Sequence, residues 1–197
     1  MRALAINREG AMKRTVALLA VVAVVSGGAT GRTYMGHPVT DMPFKLAGGQ
    51  IVNLPVTDDG PLPAENYLVT IEVAGFSLMP TDSAATSTLT WSFAFKSKRG
   101  MKLEAVTVEK VYPDTVGVEL VKDTTPSMTD RTWHGDAEPL PMTAGSTQWL
   151  FESGASTFVF KITIKAKGFE PVVLYQPSWF GEESKRTFRK ILKATAR

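Results

Sequence analysis

The sequence predicts an all-β fold, an antiparallel two-sheet sandwich that ends in a short C-terminal amphipathic helix. Three observations carry this. From Gln50 onward apolar and polar residues alternate with a period of two, turn signals built on glycine and proline separate the alternating stretches, and a helical spacing replaces the alternation only after Gly181. Alternation of this kind leaves each strand with one packed face and one wet face, as antiparallel sheets require.

The clearest strand is TLTWSFAFKSK, residues 88–98, where Leu89, Trp91, Phe93 and Phe95 share one face. Lys98, Arg99 and Gly100 then read as a bulged hairpin loop, with Gly100 free to take a positive φ. Tyr112, Pro113, Asp114 and Thr115 read as a type I turn in which the proline presets φ, after which Val116, Val118 and Leu120 resume the alternation. Residues 88–122 are therefore expected to form a three-stranded meander. In STFVFKITIKAK, residues 156–167, Phe158, Phe160, Ile162 and Ile164 face inward, against Lys161, Thr163 and Lys165. Further strands are expected near 49–55, 66–76, 128–133, 147–152 and 171–175. About nine short strands of this kind suit a sandwich, with an open barrel as the other solution.

Residues 67–76, YLVTIEVAGF, echo residues 160–169, FKITIKAKGF, in their aromatic start, their Thr-Ile pair and their closing Gly-Phe. A half-buried strand that ends in a glycine turn, with a phenylalanine plugging the sandwich end, accounts for both. This pattern resembles strand ends in immunoglobulin-like and prealbumin-like sandwich domains. The likeness covers two strands, and it implies a fold type and no function.

The N-terminal residues predict export. Met12, Lys13 and Arg14 precede TVALLAVVAVV at 15–25 and the small residues Ser26, Gly27, Gly28 and Ala29. Charged, apolar and small segments in that order form a secretory signal peptide, and cleavage is expected after Ala29. The apolar run is too short for the ~20 residues a membrane-spanning helix needs. Residues 1–11 fit a signal poorly, so translation is expected to begin at Met12. The domains expected are a signal peptide at 1–29, a sandwich at 30–181 and a basic helix at 182–197.

Charge is distributed unevenly. The chain carries a net +3, all of it within residues 1–29; the remainder is neutral, with +4 on the tail from 182 to 197 and −4 on the body. A neutral or acidic body is a poor match for nucleic acid. In the tail, Phe188, Ile191, Leu192 and Thr195 fall on one helical stripe, with Glu182 and Glu183 at its start and basic residues toward its end. That stripe is expected to bury against this domain or against a partner protein. Peripheral contact with an anionic membrane surface is the weaker option, because three large apolar side chains insert little surface.

The stretch RTWHGDAEPLP, residues 131–141, gathers the most chemistry: Trp133, His134, Asp136 and Glu138 lie within six residues of one another. Gly135, Pro139, Pro141 and Gly145 predict an irregular loop over 135–146, a candidate ligand or partner site anchored by Trp133. Trp91 and Trp149 are expected in the core, and Trp133 and Trp179 are the candidates for stacking on a sugar or holding a partner. With no cysteine and two histidines, His37 and His134, the chain lacks a recognisable metal-ligand spacing. It also lacks a nucleophile elbow or a phosphate-binding glycine loop, so no cofactor is expected. The function expected is a non-catalytic, exported interaction module that binds another envelope or secreted protein. The alternatives are a glycan-binding domain and a cofactor-free hydrolase using carboxylates on a sandwich face.

Overall fold

The computed structural model describes residues 31–80, 86–152 and 156–179, together with 185, 186, 189 and 190. The signal segment lies outside the described residues, as do Phe188, Ile191 and Leu192 of the tail. Among the described residues, eleven strands follow in chain order: β1 (Thr33–Tyr34), β2 (His37–Pro38), β3 (Thr40–Lys45), β4 (Ile51–Val56), β5 (Val69–Pro80), β6 (Thr86–Ser97), β7 (Leu103–Tyr112), β8 (Val118–Asp123), β9 (Thr132–Thr143), β10 (Thr157–Ala166) and β11 (Val172–Trp179). One helix, α1 (Ala144–Glu152), sits between β9 and β10, and a single 3-10 turn, Ala47–Gly49, joins β3 to β4. All strand pairs are antiparallel.

Two larger sheets pack face to face. One has the order β11-β10-β7-β8, the other β5-β6-β9. Their inner faces interlock through the side chains that the alternation selects: Leu89, Trp91, Phe93 and Phe95 from β6 meet Val106, Val108, Phe158, Phe160, Ile162 and Ile164 from β7 and β10. The rings cross edge to face, Phe93 on Phe160 at 5.1 Å and Trp91 on Phe158 at 5.4 Å, the geometry that aromatic quadrupoles favour. The arrangement is an antiparallel β-sandwich, and β11 runs beside β5 where the sheet edges meet.

A second, smaller core lies outside the sandwich. The β3–β4 hairpin lays Phe44, Leu46 and Leu54 over Val111 and Val159, on the outer face of the four-stranded sheet. Val159 sits at the wet parity of β10 and yet is fully buried, because this hairpin covers it.

Several expectations are corrected. Residues 88–122 do not form a meander: β6 and β7 belong to different sheets, and the link through Lys98, Arg99 and Gly100 crosses between them, so Gly100 needs no positive φ. Only β7 and β8 form the expected hairpin, and the Tyr112–Pro113 bond in its turn is cis. Residues 147–152 are helical rather than extended. The Thr143 hydroxyl accepts from the Ser146 N–H at 3.3 Å and caps the helix start, and α1 buries Thr147 and Leu150 among its described side chains. Trp149 consequently points outward, 59% exposed, instead of joining the core. The echoed Gly-Phe pairs are not equivalent: Gly75 and Phe76 lie inside β5, whereas Gly168 and Phe169 form the turn after β10.

Candidate functional site

The expected loop at 135–146 is instead most of β9 and the start of α1. β9 pairs with β6, Trp133 opposite Phe95, Gly135 opposite Phe93 and, across a register shift between Leu89 and Trp91, Leu140 opposite Leu89. Pro139 and Pro141 do not break it because β9 is the outer strand of its sheet, with no ladder to feed on its far side. Trp133 is the largest correction. Only 2% exposed, it stacks on Phe95 at 5.3 Å and donates its indole N–H to Asp123 Oδ2 at 3.0 Å. It is a core residue. His134, Asp136 and Glu138 are exposed on β9, with His134 and Asp136 opposite Ala94 and Ser92. The structure does not gather them around Trp133.

His37 lies elsewhere, its Nδ1 2.9 Å from Asp58 Oδ1 and its Nε2 3.5 Å from Asp59 Oδ2. Each ring nitrogen thus has its own carboxylate neighbour. Among the described residues no three acidic, histidine or cysteine side chains form a metal-holding group.

Two concave surfaces flank the β3–β4 hairpin. On one side, Arg32 and Tyr34 of the N-terminal segment, Leu54 and Pro55 of β4, the 62–65 segment, and Val173 and Tyr175 of β11 enclose a furrow of about 580 Å3. Its lining is mainly apolar; Tyr34 is 38% and Val173 45% exposed. Arg32 pairs with Asp41 at 3.2 Å, and Glu65 at the rim pairs with Lys98, whose hydrogen bond and charge hold the carboxyl below the usual range. Gln176 fixes the 62–65 segment against the sheet. Its amide oxygen accepts from the Ala64 N–H at 2.6 Å, and its amide nitrogen donates to the carbonyls of Leu62 and Pro177.

On the other side of Tyr175 lies a smaller groove of about 380 Å3, with Glu109 and Lys161 as its charged lining residues. Lys161 Nζ meets Glu109 Oε2 at 2.8 Å. That hydrogen bond raises the lysine pKa against the opposing effect of burial, so the ammonium is a permanent donor at neutral pH.

None of these residues was among the sequence candidates. The usable signal was PVVLY at 171–175, whose run of apolar residues at both parities means that both faces of β11 are covered or in use. No protein-family model, curated protein or solved structure matches the chain.

Proposed function

We propose that the chain is an exported, non-catalytic β-sandwich that works by binding another envelope or secreted protein, with the furrow beside the β3–β4 hairpin as its contact surface. One observation carries the reading: a furrow of about 580 Å3 whose lining includes the exposed side chains of Tyr34 and Val173, held open by Gln176. Apolar concavities of this kind, edged by a few polar groups, are where binding free energy concentrates. Strand addition is the less suitable mode here. β9 carries Pro139 and Pro141, and β8 carries a register shift opposite Val108 and Glu109, both devices that discourage edge pairing.

Further observations support the remaining parts of the proposal. Export is supported by the charged, apolar and small segments between Met12 and Ala29. An immunoglobulin-like or prealbumin-like strand arrangement is supported by three strands facing four, with a crossover between the sheets after β6. The tail at 182–197, with Phe188, Ile191 and Leu192 on one stripe, is a second docking element in this reading.

The test is crosslinking of the full chain in its native host, followed by capture, alongside Val173→Glu and a chain ending at Phe180. A partner present at comparable amount to the wild type and lost with Val173→Glu supports the furrow. Loss only on truncation moves the contact to the tail. Equal capture by all three forms, or capture by none, overturns the proposal.

A further inference from the structure

Three side chains stand in line on the outer face of the four-stranded sheet. Lys161 lies directly opposite Glu109 on one side and Tyr175 on the other, so β7, β10 and β11 each contribute one member. The row belongs to the groove of about 380 Å3, which is bounded by the Ala47–Gly49 turn with Gln50 and by Thr115, Val116 and Gly117 of the β7–β8 turn. The two turns touch where the Gly48 N–H donates to the Thr115 carbonyl at 3.3 Å. We propose that this groove binds a neutral polyhydroxylated ligand, a sugar unit, through hydrogen bonds to Lys161, Glu109, Gln50 and Thr115 and contact with the Tyr175 ring.

Charge selects the ligand class. Among the described residues, Glu109 and Lys161 are the only charged ones lining the groove, and they neutralise each other across 2.8 Å. An anion would compete with Glu109 for the ammonium, and a cation with Lys161 for the carboxylate. Either would exchange one ion pair for another while leaving a half-buried charge behind. A neutral ligand leaves the pair intact.

Hydrogen-bonding capacity points the same way. The ammonium has three donors and the carboxylate about four acceptor positions, so each has capacity left after their mutual bond. Among the described residues, the Gln50 amide and the Thr115 hydroxyl make no hydrogen bond, and the Tyr175 hydroxyl lies close enough to Lys161 to help raise its pKa. A pure donor, a pure acceptor and groups that do both, held within one groove, match a ligand whose every hydroxyl both donates and accepts. A purely apolar ligand would desolvate these groups without replacing their water. Val116 and the Tyr175 ring supply apolar surface for the C–H side of a sugar ring. The volume lies within the small-ligand range of roughly 300–1,000 Å3.

The site is independent of the protein-binding furrow, apart from sharing Tyr175. The experiment is an NMR titration of the full chain with a panel of neutral oligosaccharides built from hexoses, pentoses and N-acetylhexosamines, and separately with inorganic phosphate. A saccharide is expected to move the amide signals of Gly48, Gly117, Lys161 and Tyr175 saturably, whereas phosphate leaves them in place. Lys161→Met should weaken binding about tenfold, the scale of one lost charge-assisted hydrogen bond. The exposed pair Gln50→Ala with Thr115→Ala should weaken it as well, without disturbing the sheet, and Val173→Glu should not. Three results overturn the proposal: no shift at these amides with any saccharide, affinity unchanged in both sets of variants, or phosphate displacing the saccharide.

Discussion

The indole of Trp133 is folded over Gly135, its neighbour two residues along the same face of β9. A β-carbon on Gly135 would fall 2.5 Å from Cζ2 of that ring and closer still to Cη2. The ring has little freedom to retreat, because it stacks on Phe95 and its N–H is bound to Asp123 Oδ2 at 3.0 Å. Gly135→Ala is therefore expected to destabilise the domain by about 1–3 kcal/mol, the scale of overpacking a rigid core site. Urea denaturation checks this, and a loss below about 0.5 kcal/mol, the level of an indifferent surface change, would show that the ring moves freely.

Gln176 makes a prediction about the furrow wall. It is buried, and its side chain serves the Ala64 N–H and the Leu62 and Pro177 carbonyls. Gln176→Leu keeps the volume and strands those backbone groups, at a cost of about 2–4 kcal/mol. Hydrogen exchange separates this from general weakening. Ala64 should lose protection well before Ile162 in the central strand β10. Equal loss at both would mean that Gln176 supports the whole sandwich rather than the furrow.

The main sandwich was legible because a strand with one buried face writes that fact as alternation, and Leu89, Trp91, Phe93 and Phe95 are all buried where their parity puts them. Which strands pair was legible only for the β7–β8 hairpin. The link after β6 carries residues suited to a hairpin, and only packing decides that it crosses to the other sheet. The β9 stretch was misread because glycine and proline were weighed as breakers. Gly135 is there to admit an indole, and the prolines occupy an edge strand. The candidate grooves were hidden for a different reason. They depend on the β3–β4 hairpin lying over the outer face, and the clue to that is apolar residues at wet positions such as Val159 and Val173, which local periodicity counts as noise.

The tryptophans offer an inexpensive check on these corrections. Trp91 and Trp133 are 4% and 2% exposed, against 59% for Trp149. Acrylamide quenching of intrinsic fluorescence should therefore fall most in Trp149→Phe and hardly change in Trp133→Phe. The reverse order would restore Trp133 as a surface anchor and overturn its place in the core.

The Lys161–Glu109 pair sets a pH dependence whose sign is fixed by the geometry. The hydrogen bond to Glu109 raises the folded-state pKa of Lys161 above the ordinary 10.5. A raised lysine pKa gives stabilisation that is complete below the unfolded value and is lost as pH rises through the folded one. The advantage of the wild type over Glu109→Gln should accordingly stay flat through neutral and mildly alkaline pH and shrink only above the ordinary lysine value. Both side chains are about a third exposed, so water and salt screen the pair and the advantage is small, smaller still at high ionic strength. Denaturant midpoints for the two proteins across the alkaline range provide the measurement. An advantage that begins to fall near neutrality, or that grows with pH, would show that Lys161 is not held by Glu109 in solution.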